Sequence, residues 1–213
     1  MSATAIVPVK RLEAAKRRLS RGIEEERRGA LIAAMLEDVL EAIGAARTVD
    51  RTIVVTGDPA AEAVGLDAGA EVIADPSDEG HPEAALLGIA RARDDGAACV
   101  VLLPGDCPLL DPRDLDSLLT AVPERYVAVV PDRHGTGTNA LLLSPPDAIR
   151  PAFGEGSCDR HVAAAREAGI PHSIEAVPSL ALDLDTPADI IALATELASD
   201  RMRAKRTARV LGI

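Results

Sequence analysis

Aromatic side chains are almost missing from this chain: one Phe, one Tyr and no Trp in 213 residues. Base stacking on aromatic platforms is therefore not its mode of recognition, and the core has to be built from Ala, Val, Leu and Ile. Cysteine is also scarce. Cys99, Cys107 and Cys158 are odd in number and lack CxxC spacing, which excludes a disulfide framework and a zinc site. The four histidines, His81, His134, His161 and His172, show no ligand spacing, so a histidine metal site is not expected. No GxSxG elbow is present, which argues against a nucleophilic hydrolase. There is no apolar run of about 18 residues and no apolar leader followed by a cleavage site, so a cytoplasmic protein without membrane contact is expected. Positive charge is in deficit as well. Lys and Arg total 23 against 34 Asp and Glu, a net charge of −11. That balance disfavours nucleic acid as a partner, and a small anionic ligand would need a local positive pocket or a metal ion.

What the sequence does contain is a repeated alternation of strand and helix patterns. Apolar runs predict strands at 4–9, 52–57, 70–75 and 99–103, the last apolar at every position and therefore covered on both faces. Helical spacing of Leu31, Met35, Val39 and Ile43 predicts a helix over 23–43, followed by others over 82–94 and from Asp111 onward. Further strands are expected at 126–132 and 139–144, flanking "RHGTGT". A helix over 159–168 stops at Gly169. Residues 172–177 read as an edge strand, and a last helix starts with Asp185 or Thr186 as N-cap and Pro187 in the first turn. The basic tail 201–213 reads as a surface helix or a frayed end. One α/β domain over residues 1–213 follows, with a mainly parallel sheet and helices on both faces.

Four clusters fall where such a fold gathers its functional groups. "VKRLEAAKRRLSR" concentrates Lys10, Lys16 and four arginines at the exit of the first strand, in a chain whose other lysine is Lys205. It reads either as a solvated helix face or as a holder of polyphosphate. "PGDCPLL" delivers Asp106 to the carboxyl end of a buried strand, where open α/β sheets bind ligands; a plain turn is the alternative. "LDLDTPAD" supplies Asp183 and Asp185. An Asp from each loop, with substrate phosphates, would make a Mg²⁺ site. Asp185 has an alternative role as N-cap, whereas Asp183 has none. Last, "DRHGTGTNALLL" and "FGEGSCDRH" are glycine-rich, hydroxyl-bearing turns of the kind that grip a phosphate or carboxylate, with Ser157 open to a second reading as N-cap.

In this order, "VPVKRLEAAKRRLS", "PGDCPLL", "DRHGTGTNALLL", "FGEGSCDRHVAAAREAG" and "LDLDTPADI" extend over nearly the whole chain. They resemble the 2-phospho-L-lactate guanylyltransferase family of coenzyme F-420 biosynthesis, which includes the phosphoenolpyruvate guanylyltransferases. "GDCPLL" and "DTPAD" alone also resemble the wider nucleotidyltransferase and glycosyltransferase-A superfamily. The resemblance implies a single nucleotide-diphospho-sugar transferase-like domain, a Rossmann-like three-layer sandwich with a mainly parallel mixed sheet. It implies a Mg²⁺-dependent transfer of GMP from GTP to a small phosphorylated carboxylic acid, with release of pyrophosphate. Under it Asp106, Asp183 and Asp185 correspond to the metal-binding acids, and Lys10 and Lys16 to the catalytic basic loop at the triphosphate, which together with Asp106 contacts the nucleotide. Thr138, Gly154 and Ser157 correspond to the turns that hold the acid. The chain departs from many relatives at Pro82 and Glu83, which replace a Leu-Asn pair in the region of guanine and ribose contacts; a carboxylate at Glu83 suits the N–H donors of guanine.

The expected reaction is direct displacement at the α-phosphorus by an acceptor phosphate oxygen that is already anionic, so no general base is required. The Ala- and Arg-rich, Lys-poor composition suggests a GC-rich genome, and among family members of that kind the resemblance implies phosphoenolpyruvate as the favoured acceptor, with 2-phospho-L-lactate and 3-phosphoglycerate as the others. Functional coupling to the downstream transferase of the F-420 pathway is a further expectation. The competing readings are a related nucleotidyltransferase for molybdopterin or a sugar phosphate, and a non-catalytic nucleotide-binding module.

Overall fold

A computed structural model describes residues 2–10, 25–76, 80–199 and 202–213. Seven strands form one sheet: β1 (Ala3–Val9), β2 (Arg51–Thr56), β3 (Glu71–Ala74), β4 (Cys99–Leu102), β5 (Tyr126–Pro131), β6 (Thr138–Ser144) and β7 (His172–Ile174). Their spatial order is β3-β2-β1-β4-β6-β5-β7. β1 pairs in parallel with both β2 and β4, and β5 with β7, whereas β6 runs antiparallel to β4 and to β5. The sheet is thus mainly parallel with one reversed strand, as expected of a mixed sheet. The reversal has a local cause. "RHGTGT" is too short to carry a crossover, so β5 and β6 must form a hairpin, and β6 slots between β4 and β5.

The described helices are α1 (Glu25–Ala45), α2 (Pro59–Asp67), α3 (His81–Asp94), α4 (Pro112–Leu119), α5 (Ser157–Glu167), α6 (Pro187–Ser199) and α7 (Lys205–Leu211). Because β1 and β4 are covered on both faces, their side chains feed two cores. One face packs Ala5, Val7, Val54 and Val101 under Leu36, Val39 and Ile43 of α1. The other packs Ile6, Ile53, Val55 and Leu102 against Ala85 and Ile89 of α3, with Val162 of α5 alongside. A third cluster joins Leu31 and Met35 of α1 to Leu182, Leu184 and Leu193. That cluster anchors the segment preceding α6.

Of the two forms expected of the tail, the surface helix is the one found: α7 docks on α1 with Thr207 fully buried and both its N–H and hydroxyl donated to Asp38. One expectation is corrected. The edge strand near residue 172 is only three residues long, because the chain leaves the sheet for a 3-10 turn at Pro178–Leu180.

Candidate active site

The carboxyl ends of β1 and β4 and the start of β6 open onto a cavity of about 910 Å³. One wall is acidic. Asp106 lies in the loop after β4, and Asp183 and Asp185 in the segment preceding α6; all three line the cavity. The sequence Leu-Asp-Leu-Asp explains the second pair. In extended chain alternate residues face opposite sides, and burial of Leu182 and Leu184 in the third cluster turns Asp183 and Asp185 outward to the cavity. Leu184 N–H donates to the Asp106 carbonyl at 3.1 Å, which fixes the two acidic loops in register. Asn139, buried near the start of β6, donates from Nδ2 to the Leu180 carbonyl at 2.7 Å and to Asp183 Oδ1 at 3.5 Å.

Of the two expected N-cap candidates, Thr186 directly precedes α6, which begins at Pro187. The Thr186 N–H (2.6 Å) and hydroxyl (2.9 Å) both donate to Asp189 Oδ2, which also accepts from Asp185 N–H at 2.9 Å. Asp189 thereby reaches back to the first turn as the third residue of a capping box does. Burial pushes the Asp189 carboxyl up, but the Thr186 hydroxyl, these two amides and Arg133 outweigh it and hold it below the ordinary carboxylate range. Asp185 lines the cavity one residue before this box.

The two glycine-bearing turns line the same cavity. Asp132 Oδ1 accepts from the N–H groups of His134 (3.1 Å) and Thr136 (3.0 Å), which shapes the hairpin turn. A Cβ on Gly137 would come within 2.6 Å of the same carboxylate, so a larger residue there would have to push the Asp132 side chain aside. The Thr136 carbonyl accepts from Cys158 N–H at 3.2 Å, binding the turn to α5. Thr138 and Gly154 line the cavity; Gly154 has φ +111°. Ser157 sits immediately behind, fully buried, and its hydroxyl donates to Thr138 Oγ1 at 3.0 Å. The N-cap reading of Ser157 is therefore wrong. α5 starts two residues earlier than expected, its N-cap is Gly156 in the left-handed region, and no side chain caps it.

Two neighbours of Ser157 were not legible as functional. Arg160 donates to the carbonyls of Ala152 (2.8 Å), Phe153 (3.4 Å) and Glu155. In a trans peptide the N–H points opposite to the C=O, so the amides of Phe153, Gly154 and Gly156 are turned away from the guanidinium. His161 is fully buried between Thr138 Oγ1 (3.0 Å from Nδ1) and the Ala152 N–H (2.8 Å to Nε2). Burial, aided by the Arg160 charge, pushes its pKa down to about 4. Asn139 was missed too. A polar residue opening the apolar run "NALLLS" is the one signal that could have marked it.

At the far end, the N-terminus of α3 brings His81, Pro82 and Glu83 to the cavity, entered through Gly80 at φ +132°. Glu83 pairs with the exposed Arg150 at 3.8 Å. Lys10, one residue past β1, lines the cavity, whereas Lys16 lies outside the described residues. Among the described residues no three acidic, His or Cys groups form a preformed metal cluster. The donor set nevertheless fits a hard divalent cation: one or two carboxylates with substrate phosphates complete an octahedral shell.

The described helices include none long and apolar enough to cross a membrane. Residues 3–212 match the model of the family described as guanylyl transferase, CofC like. The chain is 48% identical over 213 residues to a phosphoenolpyruvate guanylyltransferase of Conexibacter woesei, covering 99% of this chain and 96% of that protein. It is 43% identical over 194 residues to the phosphoenolpyruvate guanylyltransferase of Sphaerobacter thermophilus, covering 91% and 93%. Its fold matches a solved structure from Desulfovibrio desulfuricans G20, provisionally assigned as a nucleotide-diphospho-sugar transferase, with a TM-score of 0.77 at 19% identity over 99% of this chain and 94% of that one.

Proposed function

Since the chain belongs to the CofC-like guanylyl transferase family, we propose that it transfers GMP from GTP to phosphoenolpyruvate, releasing pyrophosphate, as a step of coenzyme F-420 biosynthesis. The observation that carries this reading is one cavity lined both by the carboxylates Asp106, Asp183 and Asp185 and by Thr138 and Gly154 of the glycine-bearing turns. A nucleotidyl transfer between two polyanions needs both. The names of the curated relatives favour phosphoenolpyruvate as acceptor.

The acceptor's phosphate oxygen attacks the α-phosphorus of GTP; the new P–O bond forms as the bond to the β-phosphate bridging oxygen breaks, and pyrophosphate leaves. The nucleophile carries its own charge, so no side chain has to remove a proton. His161 is unsuited to that task, because Nε2 already accepts from an amide and burial keeps the ring neutral. Lys10 meets the triphosphate as a point charge, with Lys16 as its expected companion on the same basic loop. Asp106, Asp183 and Asp185 would hold Mg²⁺, which when bound supplies charge neutralisation at the phosphates. Thr138 and the amides near Gly154 orient the acid, with Ser157 supporting Thr138 from behind. Glu83 accepts from guanine N–H donors, favouring GTP over ATP. Rate enhancement then comes from positioning and electrostatics.

The test is pyrophosphate release from purified protein with Mg²⁺ and each of GTP, ATP and CTP, offered phosphoenolpyruvate, 2-phospho-L-lactate and 3-phosphoglycerate, with the downstream transferase and its deazaflavin acceptor present to consume a labile product. Release with GTP and phosphoenolpyruvate is expected. Molybdopterin and a sugar phosphate are offered in parallel; release only with one of those, or GTP binding without release with any acceptor, would overturn the assignment.

A further inference from the structure

We propose that His161 is a positioning residue that fixes the Thr138 hydroxyl as a hydrogen-bond donor aimed at the acid acceptor. The argument is one of proton counting. Ala152 N–H donates to Nε2 of His161 at 2.8 Å, so Nε2 carries a lone pair. A neutral imidazole then bears its proton on Nδ1, and Nδ1–H donates to Thr138 Oγ1, 3.0 Å away. Ser157 Oγ donates to the same oxygen at 3.0 Å. A hydroxyl has two acceptor lone pairs and one proton. Both lone pairs of Thr138 are thus committed to protein donors behind it, and its proton is left for the cavity that Thr138 lines.

A hydroxyl in water or in a loop is ambivalent and can face a ligand as donor or acceptor. Here it presents only a donor. Such a group suits the oxygens of a carboxylate or phosphate, which accept hydrogen bonds, and it rejects a ligand that offers an N–H or O–H at that point. Burial maintains the arrangement, since His161 and Ser157 are fully buried, and the Phe153 ring packs edge-on against the imidazole at a centroid distance of 5.3 Å. The inference rests on the reading that Thr138 meets the acid acceptor.

Two substitutions separate the two ring nitrogens. The amide nitrogen of Asn overlays Nδ1 of histidine, and the amide oxygen of Gln can take the place of Nε2. His161→Asn keeps the donor to Thr138 and loses the acceptor for Ala152; His161→Gln does the reverse. Steady-state kinetics should show the KM for phosphoenolpyruvate raised about tenfold in His161→Gln, the size of one hydrogen bond to a charged group, and within about threefold of the parent in His161→Asn, at most about half of that effect in free energy. The KM for GTP and kcat should stay near the parent values in both, the pattern of lost ground-state binding. A residue that only braces the loop would give the opposite order, with His161→Gln near normal and His161→Asn impaired, and that result overturns the proposal.

Thr138→Val tells the proposal apart from the reading beneath it. It should raise the acceptor KM and make His161→Gln silent in the double variant. If Thr138→Val leaves the acceptor KM unchanged, the acceptor wall is misassigned and the proposal falls with it; if Thr138→Val is impaired and His161→Gln is not, the proposal alone falls. Should a variant fail to fold, ¹⁵N NMR of the ring nitrogens in the parent protein, which has four histidines, decides independently. An Nδ1-protonated neutral ring is expected for His161, and an Nε2-protonated ring would overturn the inference.

Discussion

Asp106 sits in the loop after β4; its carbonyl accepts from Leu184 N–H, which fixes the loop's backbone, and the residue lines the cavity. Asp106→Asn keeps the size and removes the charge. Pyrophosphate release should fall by about 100-fold or more, the scale of losing an electrostatic group in a transfer site, while the melting temperature moves little. Full activity in a folded Asp106→Asn protein would rule out a metal-holding role. His161 yields a second prediction, in stability. Its folded pKa of about 4 lies below the ordinary 6.5, so protonation favours the unfolded chain. The penalty is absent above about pH 6.5, grows as pH falls towards 4, and amounts to about 3 kcal/mol once both states would be protonated. Melting curves of the parent should therefore decline more steeply between pH 6.5 and 4 than those of His161→Asn; parallel declines would contradict a buried neutral ring. The contrast between these residues explains what could be read from sequence. Asp106 ends an apolar strand, a local signal, whereas His161 acquires meaning only from Thr138, 23 positions away.

At the level of elements, α3 must approach β1 closely to bring Pro82 and Glu83 to the cavity. Gly88 makes this contact: a Cβ there would lie 2.4 Å from Ile6 Cγ2 and 3.2 Å from Val55 Cγ2. Gly88→Ala would favour the helix intrinsically, but overpacking against two buried β-branched residues should win and cost about 1–3 kcal/mol. Urea unfolding measures it, and a stabilised Gly88→Ala protein would mean that α3 has room to shift. Most elements were readable because their apolar periods are unbroken: Leu31, Met35, Val39 and Ile43 of α1 are all fully buried. Two features were not. The reversed β6 depends on which strand the hairpin docks beside, and hydrophobic pattern does not encode that. The start of α5 was misplaced because Ser before a helix usually caps it; here the hydroxyl is taken by Thr138 and Gly156 makes the entry turn.

Across the whole molecule, the acidic wall depends on a cluster lying outside the two faces of the sheet. Leu182 and Leu184 are held by α1 and α6, and Ala204, which caps the start of α7, is part of the same cluster. α7 is fastened by Asp38 of α1, which accepts from Thr207 N–H (2.9 Å), Thr207 Oγ1 (2.8 Å) and Arg206 N–H (3.2 Å); Arg206 further pairs with Glu37 at 3.0 Å and with Glu41. The exposed pairs contribute little, so Asp38 is the fastening that matters. A tail rich in Arg reads from sequence as a solvated end, because the carboxylate that captures it is 169 positions away. Asp38→Ala leaves two buried donors of Thr207 unmet, which should cost about 2 kcal/mol, or about 4–8 °C in melting temperature for a chain of this size. None of these residues lines the cavity, so KM for GTP and phosphoenolpyruvate should be unchanged at low temperature, where the variant is folded. A raised KM there would mean that α7 transmits its docking through Leu184 to the register of Asp106 and Asp183. An unchanged melting temperature would mean instead that water satisfies Thr207 and that the tail is held by its exposed charges alone.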